Sequence, residues 1–168
     1  MMRAAHIVAH LVVAALTALL IAFAILQTMW AGSEALLNAG IALIIFGWLL
    51  LAAGHAQLRK YGEVRQSSLS TETSKLVVSG VYALIRHPIY EGYILFATGL
   101  ALVSQHPLAL VSAALVSLLT YLEMVKEERK NFEKFGEAYR RYMDSVPRAN
   151  LALGLYRLLN RRKAGIER

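Results

Sequence analysis

Residues 4–26 read AAHIVAHLVVAALTALLIAFAIL, and residues 35–56 read ALLNAGIALIIFGWLLLAAGHA. The first run, Ala4 to Leu26, carries no formal charge beyond its histidines and as a helix would be roughly 34 Å long, enough to cross the hydrocarbon of a bilayer. Working outward, two more apolar stretches, Gly92–Ser104 and Leu108–Leu122, flank the short break Gln105-His106-Pro107. In hydrocarbon an isolated segment satisfies its backbone polar groups only as a helix. With 57% hydrophobic residues in 168, too few polar side chains remain to cover a soluble core of this size. The fold expected is therefore all-α: a polytopic membrane bundle of about four transmembrane helices, at about 4–28, 35–57, 89–104 and 107–125. The first run has a single Arg ahead of it and no small-residue cleavage site, so it reads as a span and not as a secretory signal.

The formal charge of +7 is informative by location. Of 18 Lys and Arg, Arg3 precedes the first span, five lie between spans two and three (Arg59, Lys60, Arg65, Lys75, Arg86), and twelve follow span four. The connections around Gly32 and Gln105 have none. This alternation follows the positive-inside rule and predicts cytoplasmic termini and a cytoplasmic middle loop. The basic residues flank membrane segments and can attract anionic headgroups, which argues against a nucleic-acid partner. With zero cysteines there is no disulfide, thiolate metal cluster or cysteine nucleophile. His6 and His10 stand one turn apart but have no nearby carboxylate or cysteine, so a helix-end role is favoured over metal binding.

No repeat divides the chain, and residues 1–168 read as a single membrane domain. Loops at 58–88 and 126–150 would bear the site, and Leu151, Leu155, Leu158 and Leu159 line one side of a basic segment at 151–163, as in a helix lying on the membrane surface. Phe132, Phe135, Tyr139 and Tyr142 recur at spacings of three and four, giving an amphipathic face that either meets the bilayer or packs on the protein's own loops. Pro88 fits a helix first turn, leaving the amides of Ile89 and Tyr90 near Arg86 and His87 as a seat for an anion.

The chemistry concentrates in SGVYALIRHPIYEG, residues 79–92, and in Glu127-Glu128. Together they offer a cation, an imidazole, two tyrosines, helix-start amides and two carboxylates, a set suited to a zwitterionic ligand bearing a flat ring. Each residue also has a plainer reading. Arg86 serves as a positive-inside anchor, His87 as a helix cap, and Tyr82 and Tyr90 as interfacial belt residues. Glu127 and Glu128 would be solvated partners of Lys126 and Arg129, and Glu91 a partner of Arg86 or another loop cation. A helix turns Glu127 and Glu128 about 100° apart, so one at most faces a ligand, and position favours Glu127.

The ordered motifs Leu76–Tyr82, Arg86–Gly92, Glu127-Glu128, Phe135–Tyr142 and Val146-Pro147 resemble the isoprenylcysteine carboxyl methyltransferase family, and related membrane phospholipid methyltransferases share part of them. The resemblance covers residues 75–147. It implies an S-adenosylmethionine-dependent methyltransferase whose lipophilic acceptor enters from the bilayer, with the cofactor held by Lys75, Leu76, Val77, Tyr82, His87, Pro88, Ile89, Tyr90 and Glu127. In the prenylcysteine enzymes an arginine one turn before the equivalent of Glu127 faces the acceptor's carboxylate; here that position is Glu123. The expected acceptor-facing residues are thus Arg86 and Glu123, and an acid at 123 suits a neutral, hydroxyl or cationic acceptor better than a carboxylate. The same residues also admit two other readings: an NADPH-dependent enzyme like membrane sterol reductases, which carry a similar Arg-His-Pro-x-Tyr-x-Gly stretch, and a non-catalytic lipid-binding subunit.

Overall fold

The structure, a computed structural model, describes residues 12–22, 32–63 and 73–163, with side chains through residue 160. The expected first span at 4–28 is seen only as helix α1, Val12–Ala22. The rest of that span, Arg3, His6, His10 and the loop stretch 64–72 lie outside the described residues. Then follow α2 (Glu34–Tyr61), a 3-10 turn (Gly80–Ala83), α3 (Pro88–Ser104), α4 (Pro107–Phe135), α5 (Glu137–Ser145) and α6 (Leu151–Lys163), with no strand element among the described residues.

Two of these helices, α2 and α4, are long and apolar enough to cross a membrane. The third expected span, α3, has 17 residues, which at 1.5 Å per residue is about 25 Å and shorter than a typical hydrocarbon core of about 30 Å. Helix ends follow local chemistry. In α2, Glu34 occupies the first turn and Arg59 and Lys60 the last, matching the helix dipole. Pro88 and Pro107 each open a helix, where a missing N–H has no intrahelical partner to lose. Between α3 and α4, Gln105 adopts a left-handed φ of 49°. Its side chain accepts from Ser33 N at 2.8 Å and donates to Ser33 O at 2.9 Å, pairing the two ends of one backbone unit.

The chain forms two compact units, 1–49 with 92–124 and 50–91 with 125–168. In the first, α2 and α3 meet backbone to backbone. A Cβ placed on Gly99 would lie 2.7 Å from Gly40 O, and one on Gly47 would lie 2.8 Å from Gly92 O. Small residues permit this approach, which gains dispersion energy without needing a hydrophobic effect. Leu20, Ala97, Leu100, Ala101, Ala109, Ala113 and Val116 form the core, and the ring of Trp48 meets Phe96 edge-on at 6.3 Å. Ile41, Ile45, Trp48, Leu110, Val111, Leu115 and Leu118 point outward and are exposed. The hydroxyls of Thr17, Thr98, Ser112 and Ser117 bond to carbonyls four residues back, at 2.8 Å each, so polar atoms on these helices are satisfied internally. An apolar exterior with self-satisfied hydroxyls suits hydrocarbon.

Candidate functional site

The second unit is assembled around Leu84–Tyr90. The 3-10 turn delivers the chain to this point after Gly80, whose φ of 61° lies in the left-handed region and whose Cα face abuts the Gln57 amide. Ile85 is fully buried. The next two amides leave the helix and pair with a distant extended segment: Arg86 N donates to Pro147 O at 3.0 Å and His87 N to Arg148 O at 3.2 Å. The first bond of α3 runs from Glu91 N to His87 O at 3.0 Å, so the Ile89 and Tyr90 amides sit ahead of the helical ladder, as a helix start requires.

The two adjacent glutamates have different fates. Glu128 is 5% exposed. Its Oε1 accepts from Arg86 Nη2 at 2.8 Å and meets His87 Nε2 at 3.3 Å, while Oε2 accepts from Arg148 Nε at 3.0 Å and Nη2 at 2.5 Å. Burial by itself would raise the Glu128 carboxyl; hydrogen bonds from His87 and Arg148 and the charge of Arg86 outweigh it and hold the group at about 2. Arg86 also donates from Nη1 to Met143 O at 2.8 Å, and its Nε is buried without a partner. Glu127 is only half-buried, and its Oε2 accepts from the Tyr90 hydroxyl. The Tyr90 ring in turn meets the His87 ring edge-on, with centroids 5.7 Å apart.

An aromatic wall backs these groups. Gly136, at φ 54°, breaks α4 from α5, so the aromatic run expected as one face is divided. Tyr139 and Tyr142 are buried with Val146 against Leu76, Phe135 and Met143, whereas Phe132 stays exposed. Tyr142 donates to Tyr82 O at 2.7 Å, joining α5 to the 3-10 turn. Burial is the main cause that raises the hydroxyls of Tyr82, Tyr142 and Tyr139, the last to about 12; the charge of Glu127 adds to the rise at Tyr82 and that of Glu128 at Tyr139.

All nine residues expected at the cofactor site fall in this unit. Tyr82, His87, Pro88 and Val77 are buried, Leu76 packs on the tyrosine cluster, and Ile89 lies against Gly54, where an added Cβ would come within 2.6 Å of it. Lys75 is more peripheral, exposed and paired with Glu63. The plainer readings need amending. Arg86 pairs with Glu128 and not with Glu91, and Arg129 reaches Glu133 at 3.4 Å instead of a carboxylate at 127 or 128. Glu123 is half-buried on α4, one turn before Glu127. Sequence reasoning missed Arg148. The signal available was its place just after Val146-Pro147, together with the need of any buried carboxylate for more than one partner. Beside Glu128 opens a recess of about 390 Å³ lined also by Arg129, Phe132, Arg140, Met143 and Asp144. Among the described residues no group of three His, Asp or Glu is placed to hold a metal.

The sequence profile of the phospholipid methyltransferase family matches residues 36–138, from α2 into α5. The chain belongs to that family. Among curated proteins it is 34% identical over 110 residues to protein-S-isoprenylcysteine O-methyltransferase of Homo sapiens, covering 64% of this chain and 38% of the relative. The Xenopus laevis protein of the same name is 32% identical over 114 residues, again 64% and 38%. The Arabidopsis thaliana B form is 28% identical over 116 residues, 66% of this chain and 56% of the relative. The chain thus spans well under half the length of the vertebrate relatives and just over half of the plant one. No solved structure matches it. For this methyltransferase-family chain, the matched region contains Arg86, His87, Tyr90, Glu127 and Glu128 but ends before Arg148.

Proposed function

We propose that this protein is an integral membrane methyltransferase that uses S-adenosylmethionine to methylate a small lipophilic acceptor at the cytoplasmic face. The observation that carries the proposal is the division of labour between neighbouring carboxylates. Glu128 is neutralised in a buried ion-pair network, whereas Glu127 stands half-buried and accepts from Tyr90, whose ring meets that of His87. Family membership supplies the reaction class. The alternation of basic residues supports cytoplasmic termini, and the apolar exteriors of α2 and α4 support membrane embedding.

The residues fit such a cofactor. Glu127 offers a carboxylate to its ammonium, and the amides of Ile89 and Tyr90 with His87 offer an anion seat to its carboxylate. Leu76, Val77, Tyr82, Pro88 and Ile89 supply apolar and aromatic surface, and Lys75 stands at the rim. When bound, S-adenosylmethionine provides a methyl group on a sulfonium, passed by in-line displacement. The protein's part is then orientation and exclusion of water more than proton transfer. Arg86, expected to offer its charge to the acceptor, is held by Glu128 and Met143 O, so we assign it to holding the site in shape. Glu123 is the residue we place toward the acceptor. The relatives are named for protein-S-isoprenylcysteine O-methylation; an acid at 123 argues for a neutral, hydroxyl-bearing or cationic lipophile in place of a carboxylate.

Titration of the purified protein with S-adenosylhomocysteine and, separately, with NADPH tests the proposal. Micromolar binding of the first alone is expected. Binding of NADPH alone would overturn it in favour of a reductase, and binding of neither would indicate a non-catalytic scaffold.

A further inference from the structure

The segment after α5 is built into the site. Val146 ends α5 in extended conformation, φ −120° and ψ 130°, and Pro147 is buried. Pro147 O and Arg148 O receive the amides of Arg86 and His87. Asn150 then starts α6, its Oδ1 accepting from Leu153 N at 2.9 Å. Four residues on, buried Gly154 rests on the backbone carbonyl of Leu84, with no room for a side chain. Residues 147–154 therefore hold the Leu84–His87 turn through two backbone bonds and one glycine contact, and reach its Glu128 partner through the Arg148 side chain.

That side chain does more than add a charge. One edge of its guanidinium, Nε and Nη2, closes on Glu128 Oε2, fixing the carboxylate so that Oε1 faces Arg86 and His87. The His87 contact is the longest in the network at 3.3 Å, so it is the one most sensitive to rotation of the carboxylate. His87 carries the ring against which Tyr90 packs, and Tyr90 donates to Glu127. We infer that Arg148 is a positioning residue: acting through Glu128, it sets the His87 ring and hence the Tyr90–Glu127 pair that receives the cofactor. This inference rests on the cofactor-site reading above. It concerns a residue beyond those matched by the family profile.

The test is S-adenosylhomocysteine affinity of the whole 168-residue chain, measured with Arg148→Ala and Arg148→Lys, each alone and combined with His87→Ala. Arg148→Ala should weaken binding about tenfold, the usual scale for losing the support of a ligand-contacting group. Lys should restore part of the loss, since it returns the charge without the two-pronged grip. In the His87→Ala background Arg148→Ala should cause no further weakening, because the route from Arg148 to the ligand is already cut. Hydrogen exchange at the Arg86 and His87 amides should quicken in Arg148→Ala while exchange in α2 stays unchanged. Unaltered affinity, or an equal loss in both backgrounds, would overturn the positioning role and leave the cofactor reading intact. Failure of the wild-type protein to bind would overturn both.

Discussion

In the unit built from residues 1–49 and 92–124, helices meet where side chains are missing; in the unit built from 50–91 and 125–168 they meet where charged and hydroxyl-bearing side chains are buried. Gly40 against Gly99 and Gly47 against Gly92 exemplify the first; Glu128 among Arg86, His87 and Arg148, with Tyr142 on Tyr82 O, the second. The difference follows from what surrounds each. A helix whose outer face suits lipid gains little from burying more hydrocarbon, so close backbone approach supplies its packing. A polar unit can bury charge only if every charge has partners, and the network that results also fixes side-chain directions. Directional contacts are what a binding site needs, which is why the residues of the candidate cofactor site lie in the second unit.

Glu128→Ala attacks the second mode at its centre and should have the largest effect. It leaves Arg86 and Arg148 without their shared carboxylate and should cost about 3–5 kcal/mol in unfolding free energy, measured by denaturation of the detergent-solubilised protein. Acid attacks the same carboxylate without mutation. With Glu128 held at about 2, below its ordinary 4.5, its stabilisation is complete above about pH 5 and is lost as pH falls toward 2. The loss should approach roughly 3 kcal/mol, and a Glu128→Gln variant should show a flatter acid limb in the same titration. Gly99→Val tests the first mode: its Cβ would lie 2.7 Å from Gly40 O and 2.9 Å from Ile44 N. Overpacking of about 1–3 kcal/mol is expected, with S-adenosylhomocysteine affinity little changed; a large loss of affinity would show that the two modes are not separable. The smallest effect belongs to Tyr142→Phe, which removes the 2.7 Å bond to Tyr82 O and should lower stability by about 1 kcal/mol.

How much of this was legible in the sequence depended on whether the signal was local. The α2 run, the start of α3 at Pro88 and the separation of Glu127 from Glu128 follow from apolar length, from proline's fixed φ and from helical geometry, and all three appear in the structure. The length of α3 was legible as well: the span expected at 89–104 is the helix Pro88–Ser104, bounded by Pro88 at its start and by the Gln105-His106-Pro107 break at its end. The break at Gly136 was hidden because its flanks keep helical spacing on either side. The partners of Arg86 were beyond reach: Met143 O and Glu128 lie 57 and 42 residues away, and nothing local records the pairing. The same holds for Arg148, proposed to act from the segment after α5 that presents its carbonyls to Arg86 and His87.

On the proposed function, Glu127, and not its buried neighbour, is the group that would receive the cofactor's positive charge. Isothermal titration of S-adenosylmethionine into wild-type and Glu127→Ala protein tests it most directly, with thermal unfolding recorded on the same samples. An affinity loss of about 1.5–3 kcal/mol is expected, as for a charge-assisted contact, with unfolding almost unchanged because Glu127 is half-buried and is not among the partners of Glu128. Wild-type affinity in Glu127→Ala would contradict it.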